Sequence, residues 1–217
     1  MSQQVIQLVK KTLSIEDLKA VNRKYNGTSE VALQGGTLTG VVGNDKVSID
    51  MPKIGTVESS NAGENKAVSY TKSTLKGEDK DNYELSETAW PALTVTISKT
   101  DQSDTVITTT SNELDKEYDG YEVVDVKSTS NNKTTPVVEY SVKGKNEYTT
   151  TKPKDAGEYT VRVTYPADDN YEKSSVTKDF TIKKMKTRVS AIDLSKTYGE
   201  KGYELMYSLI DLQEVID

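Results

Sequence analysis

Apolar and polar residues alternate along much of this chain, and such alternation predicts strands with one buried face. Leu93, Val95 and Ile97 are separated by threonines, which themselves favour extended backbone. The same alternation predicts a strand along residues 159–165, with Tyr159, Val161, Val163 and Tyr165 facing inward, and another around Phe180 and Ile182. Further strands are predicted at Val5–Val9, Val41–Ile49, Ala67–Leu75, Thr105–Thr109 and Val137–Val142. Many short strands between glycine- and asparagine-containing turns are typical of an all-β, immunoglobulin-like sandwich.

Two segments invite a helical interpretation. Ser14–Lys19 is predicted to be a short helix, because Ser14 followed by Asp17 approximates a capping box. Near the end of the chain, alternation from Tyr203 to Leu209 fits a strand, whereas the spacing of Leu209, Leu212 and Ile216 fits a helix. We favour a strand that continues the third repeat, followed by a short helical or frayed end.

Three short motifs occur twice in the same order, and the first begins a third time. The copies are Tyr25-Asn26-Gly27, Asn61-Ala62-Gly63 and Asp81-Asn82-Tyr83, then Tyr118-Asp119-Gly120, Asp155-Ala156-Gly157 and Asp169-Asn170-Tyr171, then Tyr198-Gly199. The spacing is the size of a small domain, so we predict tandem modules arranged end to end. These are a first β module at 1–98, a linker at 99–104, a second β module at 105–184 and a partial third repeat at 185–217. Because that repeat stops early, we expect the chain to be a segment of a larger protein.

The repeated residues suit structural turns better than a ligand site. A glycine after Asn or Asp supplies the positive φ of a tight turn, and the tyrosine before it would anchor that turn on the core. The Ala-Gly motifs would lead into strands, and the asparagine of Asp-Asn-Tyr would satisfy loop backbone groups beside a packed ring. The predicted turn residues are Tyr25, Asn26, Gly27, Gly63, Asn82, Tyr83, Tyr118, Asp119, Gly120, Gly157, Asn170, Tyr171, Tyr198 and Gly199.

Composition narrows the function classes. Only 34% of the 217 residues are hydrophobic, so each core must be thin, and 13 tyrosines against 1 phenylalanine suit such cores. The net charge of −6 argues against nucleic acid as a partner. Cysteine and histidine are absent, which excludes disulfides, thiolate metal sites and histidine-based triads. No apolar run is long enough to span a bilayer.

The order of the motifs, with the closing run Phe180–Lys183, resembles the tandem YDG and MBG repeats of large bacterial cell-surface proteins and adhesins. The first copy is more similar to the YDG type, through Leu75–Asp79 before Asn82-Tyr83. The second is similar to the MBG type, through Asp155–Val161, and Ser195–Glu200 matches an MBG opening. Asn26 stands where the YDG pattern usually has aspartate, a change that keeps the turn chemistry.

This resemblance implies a secreted, extracellular protein of the bacterial cell surface, with this segment as a spacer or stalk, and it supplies no catalytic residues. We expect no enzyme activity and no cofactor. The expected partners are neighbouring repeats of the same chain, and the expected state is a monomer. The alternative function is an adhesive module that recognises a glycan or a host protein.

The sequence alone does not decide between alternatives for three further features: a calcium site, an isopeptide crosslink and the environment of Trp90. Calcium would need several oxygen ligands from one loop, and Asp81, Asn82, Asp168 and Asp169 are the candidates, although neither loop has EF-hand spacing. A Lys–Asn isopeptide crosslink cannot be located from spacing. Trp90 is either an exposed platform for a sugar ring or, as we prefer, a residue packed into the core of the first module or the interface between modules.

Overall fold

The computed structural model describes residues 9–102, 104–191, 197–199 and 207–211. The chain divides into two compact units. Unit 1 comprises Met1–Ser103 and Pro166–Lys173, and unit 2 comprises Asp104–Tyr165 and Ser174–Asp217. Among the described residues, regular structure is almost entirely β, apart from the short helix α1 (Ser111–Leu114) and a 3-10 turn at Lys80–Asn82. The prediction of an all-β protein is therefore confirmed.

Unit 1 is built from short strands in three-stranded sheets. The sheet orders are β5-β1-β8, β2-β4-β6 and β3-β9-β7. Pairing is antiparallel except for β1 with β8 and β3 with β9, which are parallel. The strands are β1 (Lys11–Glu16), β2 (Lys19–Ala20), β3 (Arg23–Lys24), β4 (Glu30–Gln34), β5 (Thr37–Thr39), β6 (Ile54–Thr56), β7 (Gly63–Val68), β8 (Tyr83–Leu85) and β9 (Leu93–Ser98).

The core of unit 1 follows from the alternation in these strands. In β9 the apolar residues are buried and the residues between them are not, as the sequence predicts. They join one apolar cluster with Ile15, Leu18, Val31, Leu33, Val57 and Val68. Trp90 is partly buried against this cluster and lies 5.9 Å from the Tyr70 ring, centroid to centroid. This agrees with the packed interpretation of Trp90.

Unit 2 contains one larger sheet of order β11-β15-β14-β13, together with the pairs β10-β12 and β16-β17. The pairing of β14 with β15 is the most extensive, from Gly157↔Ile182 to Tyr165↔Ser174. The strands are β10 (Val106–Ile107), β11 (Lys116–Glu117), β12 (Ser128–Thr129), β13 (Val137–Val142), β14 (Gly157–Tyr165), β15 (Ser174–Lys183), β16 (Thr187–Ala191) and β17 (Tyr207–Asp211).

The core of unit 2 contains few residues, as expected from the low hydrophobic content of the chain. Its buried apolar cluster consists of Leu114, Val123, Tyr140, Val161, Phe180 and Ile182. Tyr140 meets the Phe180 ring edge-on, and Tyr159 stacks on the same ring at a centroid distance of 5.7 Å. The predicted inward residues of β14 and β15 therefore do face the core, with Tyr159 only half-buried.

The predicted helix at Ser14–Lys19 is wrong. The backbone is extended through Glu16, and Leu13 and Ile15 are buried with Ser14 exposed between them. A helix of six residues is marginal in isolation, whereas this period of two buries both Leu13 and Ile15. Asp17, at φ 60°, then turns the chain where the helix was expected to continue.

The predicted strand at Val41–Ile49 is also wrong. Gly43 has φ 54°, and the Asp45 amide donates to the Val42 carbonyl (3.1 Å), which makes a turn in the middle of the segment. Only Ser48 is paired, in an isolated bridge to Lys76. The preference of Gly43 for a turn therefore outweighs the weak apolar alternation that predicted a strand.

Other predicted strands differ mainly in length. The strand expected at Ala67–Leu75 begins earlier and ends at Val68, and the one at Thr105–Thr109 is reduced to β10. Tyr207–Asp211 is extended, as favoured for that region. Most of Val5–Val9, and the helical end expected after residue 211, lie outside the described residues.

Replacing Ile97 with alanine tests the core of unit 1. Ile97 is 1% exposed, so Ile97→Ala should lower the free energy of unfolding by about 2–5 kcal/mol, measured by urea denaturation followed through the amide signals of unit 1. Ile54 lies in the same unit but is 59% exposed, so Ile54→Ala is the matched control and should change stability by less than about 0.5 kcal/mol. Equal effects of the two substitutions would contradict this core.

Candidate functional site: the repeated tyrosine turns

Both complete tyrosine turns follow a two-residue strand that pairs in parallel with a middle strand of its sheet. In unit 1, β3 pairs with β9, and the Tyr25 amide donates to the Ser98 carbonyl at 2.8 Å. In unit 2, β11 pairs with β15, and the Tyr118 amide donates to the Lys183 carbonyl, also at 2.8 Å. The two turns therefore occupy the same place in the two units.

The Ala-Gly motifs lie on the other side of the same middle strands. Gly63 begins β7 and is paired with Ile97, and Gly157 begins β14 and is paired with Ile182. Arg23 is paired with that same Ile97 from the opposite side, as Lys116 is with Ile182. Each sheet thus brings a tyrosine turn and an Ala-Gly motif together, although they are far apart in sequence.

The Asn or Asp of each turn holds backbone groups of the turn itself. The Asn26 Oδ1 atom accepts from the Thr28 amide (3.1 Å) and from the Arg23 guanidinium (2.7 Å). The Asp119 Oδ1 atom accepts from the Tyr121 amide (2.9 Å) and pairs with the Lys116 ammonium (2.5 Å). The two side chains thus satisfy the amide two residues ahead, as in an Asx turn.

The cation three residues before each Asn or Asp was missed by sequence reasoning. The Arg23 guanidinium also donates to the carbonyls of Lys24 (3.0 Å), Thr28 (2.6 Å) and Glu30 (3.1 Å). Lys116 also donates to the Tyr121 carbonyl at 3.2 Å. The pattern of a cation, two residues and then Asn or Asp occurs in both copies and would have been a usable signal.

The tyrosines and glycines of the three openings do not all behave alike. Gly27 and Gly120 both have φ 80°, and Gly199 has φ 99°. Tyr25 and Tyr118 are half-buried against their respective cores. Tyr198 is fully exposed, so the third opening shows the turn without the expected anchor.

The two Asp-Asn-Tyr motifs have different roles. Tyr83 is buried, and its hydroxyl donates to Asp45 Oδ2 (2.6 Å) and accepts from the Val42 amide (3.1 Å). The hydrogen bond to the Asp45 carboxylate raises the pKa of Tyr83. Within the described part of the chain, the Asn82 side chain makes no hydrogen bond, contrary to the expectation for this motif.

The second Asp-Asn-Tyr motif lies in the 166–173 segment of unit 1 and uses its asparagine as expected. Asn170 Oδ1 accepts from the Ala62 amide (2.9 Å), and its Nδ2 donates to Asn61 Oδ1 (3.2 Å). The Tyr171 ring meets the Tyr25 ring edge-on, with centroids 5.6 Å apart. Asp168 Oδ1 shapes the segment by accepting from the amides of residues 170 (2.8 Å) and 171 (2.7 Å).

The same segment also pairs through its backbone with Thr100. The Thr100 amide donates to the Asn170 carbonyl (2.9 Å), and the Glu172 amide donates to the Thr100 carbonyl (3.0 Å). These two bonds form a parallel bridge between Thr100 and Tyr171. Tyr25, the Asn61-Ala62 pair and Thr100 together form the seat of the 166–173 segment.

The structure does not gather the candidate calcium ligands into one site. The Asp81 carboxylate pairs with Lys80 at 3.3 Å, and Asp168 Oδ1 is used by two backbone amides. No group of three or more Asp or Glu residues suited to a metal ion occurs among the described residues. Asn26, Asp119 and Asn170, by contrast, each accept a hydrogen bond from a backbone amide.

A shallow groove of 490 Å³ lies in unit 2 between β13, the start of β14 and the preceding loop. Two of its lining residues, Tyr140 and Tyr159, are aromatic. Near one end, Lys152 pairs with Asp125 at 2.5 Å, and this lowers the pKa of the Asp125 carboxyl. Tyr121 is 76% exposed and directly precedes Glu122, another lining residue.

Residues 9–90 match the YDG domain family. The first copy of the motifs is therefore part of a YDG-type domain, and Tyr25-Asn26-Gly27 lies within the matched residues. No curated protein and no solved structure matches the chain. Among the described residues, the structure contains no helix that is long and apolar enough to cross a membrane.

Acid should weaken the unit 2 turn through Asp119. Its hydrogen bond with Lys116, and then that with the Tyr121 amide, hold the pKa of Asp119 below its ordinary value. A folded-state pKa below the unfolded one gives stability that is present above about pH 4–5 and is lost as the pH falls through the folded value. We expect Asp119→Asn to be less stable than the parent at pH 7, and we expect this difference to shrink as the pH falls and the Asp119 carboxylate is protonated.

Urea midpoints between about pH 7 and pH 2, read from amide signals of unit 2, measure this difference. Glu117→Gln is the matched control, because the Glu117 side chain takes part in no described hydrogen bond or ion pair. A stability difference for Asp119→Asn that did not change with pH would contradict the proposed role of the charge.

Substitution of Gly120 tests whether the tyrosine turn of unit 2 requires a residue that tolerates positive φ. A Cβ at Gly120 would meet no atom within 4 Å, so the cost of Gly120→Ala comes from φ 80° alone and should be about 1–2 kcal/mol. Gly120→Asn should cost less, because asparagine tolerates the left-handed region better. Urea denaturation measures both, and equal losses would contradict the assignment of strain to the backbone.

Proposed function

We propose that this chain is a spacer or stalk segment of a secreted bacterial cell-surface protein, an adhesin, built from tandem immunoglobulin-like β modules with a third repeat. In this proposal the first module is the YDG-type domain and the second is MBG-like. The segment carries no catalysis and acts as a monomer. It holds an adhesive region away from the cell wall.

One observation carries the proposal: the Asn and Asp side chains of the two complete tyrosine turns are used on the chain itself. Asn26 and Asp119 each hold a backbone amide and a cation three residues earlier. The same parallel pairing places both turns beside an Ala-Gly strand. A motif repeated for ligand binding would leave such groups available to a ligand, whereas a motif repeated to build modules would use them internally.

The spacer function is tested by display on a bacterial surface. A reporter binding domain is anchored directly, through this chain, or through a Gly–Ser linker of equal residue number. Capture of a bulky bead-bound target should be higher through this chain than by direct anchoring, and the flexible linker, whose r.m.s. span at this length is about 80 Å, shows how much capture reach alone provides. Capture no better than that of the direct fusion would contradict the spacer function.

The alternative function, recognition of a glycan or host protein, is favoured by one feature. Tyr121 is exposed beside the groove that contains Tyr140 and Tyr159, and exposed aromatic faces suit sugar rings. Trp90 is a weaker candidate because it is partly buried against the core. Glycan-array binding that is lost in Tyr121→Ala and kept in the exposed-tyrosine control Tyr198→Ala would support this alternative.

A further inference from the structure

Unit 2 contains a groove of 360 Å³ beside its tyrosine turn, lined by Tyr118, Asp155, Ala156, Lys184 and Met185. Each lining residue has a counterpart in unit 1. The motifs equate Tyr118 with Tyr25 and the Asp155-Ala156 pair with Asn61-Ala62. The shared bonds from the two tyrosine amides, to Ser98 and to Lys183, then place Met185 where unit 1 has Thr100.

In unit 1 the counterpart of this groove holds the Asp-Asn-Tyr turn of the 166–173 segment. That turn is bound by the Ala62 amide, by the Asn61 side chain, by both backbone groups of Thr100 and by the Tyr25 ring. The seat therefore consists of two backbone donors, two acceptors and one aromatic face, in fixed relation to the tyrosine turn.

In unit 2 the corresponding groups are present and have no partner among the described residues. The Met185 amide and carbonyl, the Ala156 amide and the Asp155 carboxylate take part in no described hydrogen bond or ion pair. Met185 is 37% exposed, and Tyr118 is half-buried, as Tyr25 is. The groove thus has the same donors, acceptors and aromatic face as the seat in unit 1.

We propose that this groove binds the Asp-Asn-Tyr turn of another repeat of this kind, and this inference rests on the proposed modular function. The asparagine Oδ1 would accept from the Ala156 amide, and its Nδ2 would donate to the Asp155 carboxylate. The backbone beside it would pair with Met185. The bond to the Asp155 carboxylate would be charge-assisted, whereas the corresponding bond at Asn61 joins two neutral amides.

The probe is a head-to-tail cyclic peptide with the sequence of residues 165–174. Cyclisation is compatible with the turn because Tyr165 and Ser174 are directly paired at the ends of β14 and β15. Pre-organisation lowers the entropic cost of binding. The peptide is titrated to about 5 mM into the ¹⁵N-labelled full chain, so that even millimolar affinity is seen.

We expect saturable shifts at the amides of residues 118, 155, 156, 184 and 185. The Ala62 amide should not shift, because it already bonds to Asn170. A peptide with Asn170→Ala should bind about tenfold more weakly, since it loses two hydrogen bonds. In the protein, Asp155→Ala should weaken binding about fivefold or more, while Glu122→Ala, which removes the same charge outside this groove, should not.

Two results would overturn the inference: no saturable shift at the groove amides in a chain whose spectrum shows it folded, or equal binding by Asp155→Ala and Glu122→Ala. Neither result bears on the display experiment, which measures reach with this chain alone. A failed spacer function with intact peptide binding would instead identify the groove as a docking site in a protein of another role.

Discussion

The structure depends on the parallel pairing of a two-residue strand with a middle strand of one sheet in each unit, β9 in unit 1 and β15 in unit 2. This pairing fixes the tyrosine amide on the carbonyl of Ser98 or Lys183, and thereby fixes the start of the turn. The same middle strand carries Ile97 or Ile182 into the core, so backbone register and core burial are set together. A shift of the strand register by one residue would displace the tyrosine turn and point the isoleucine away from the core.

The sequence predicts well those strands whose position depends on the alternation of neighbouring residues. The alternation in β9 and β14 is strong, and those strands lie where it places them. The errors occur where a weak pattern competes with turn chemistry, at Asp17 and Gly43. The parallel pairs could not be predicted, because a strand of two residues has no period and its partner is far along the chain.

The turn residues are a harder case, because identical tripeptides adopt different roles. Asp-Asn-Tyr at Tyr83 supplies a buried ring to the core of unit 1, whereas the copy at Tyr171 places its ring against Tyr25. Nothing within the three residues distinguishes these outcomes, since they are decided by what surrounds the ring. The glycines were easier to interpret, because positive φ is a local property of Tyr-Asn/Asp-Gly.

The differences between the two tyrosine turns follow from one exchange of cations. Arginine has five donors in a fixed fork, and Arg23 reaches three backbone carbonyls as well as Asn26, so a neutral amide is a sufficient partner. Lysine is a compact charge, and Lys116 reaches one carbonyl and Asp119. In unit 2 the charge of the Asp119 carboxylate holds the cation in the turn, as the additional hydrogen bonds of Arg23 hold it in unit 1. The pairs Arg–Asn and Lys–Asp are therefore two solutions to one geometric requirement, and only the second makes the turn sensitive to acid.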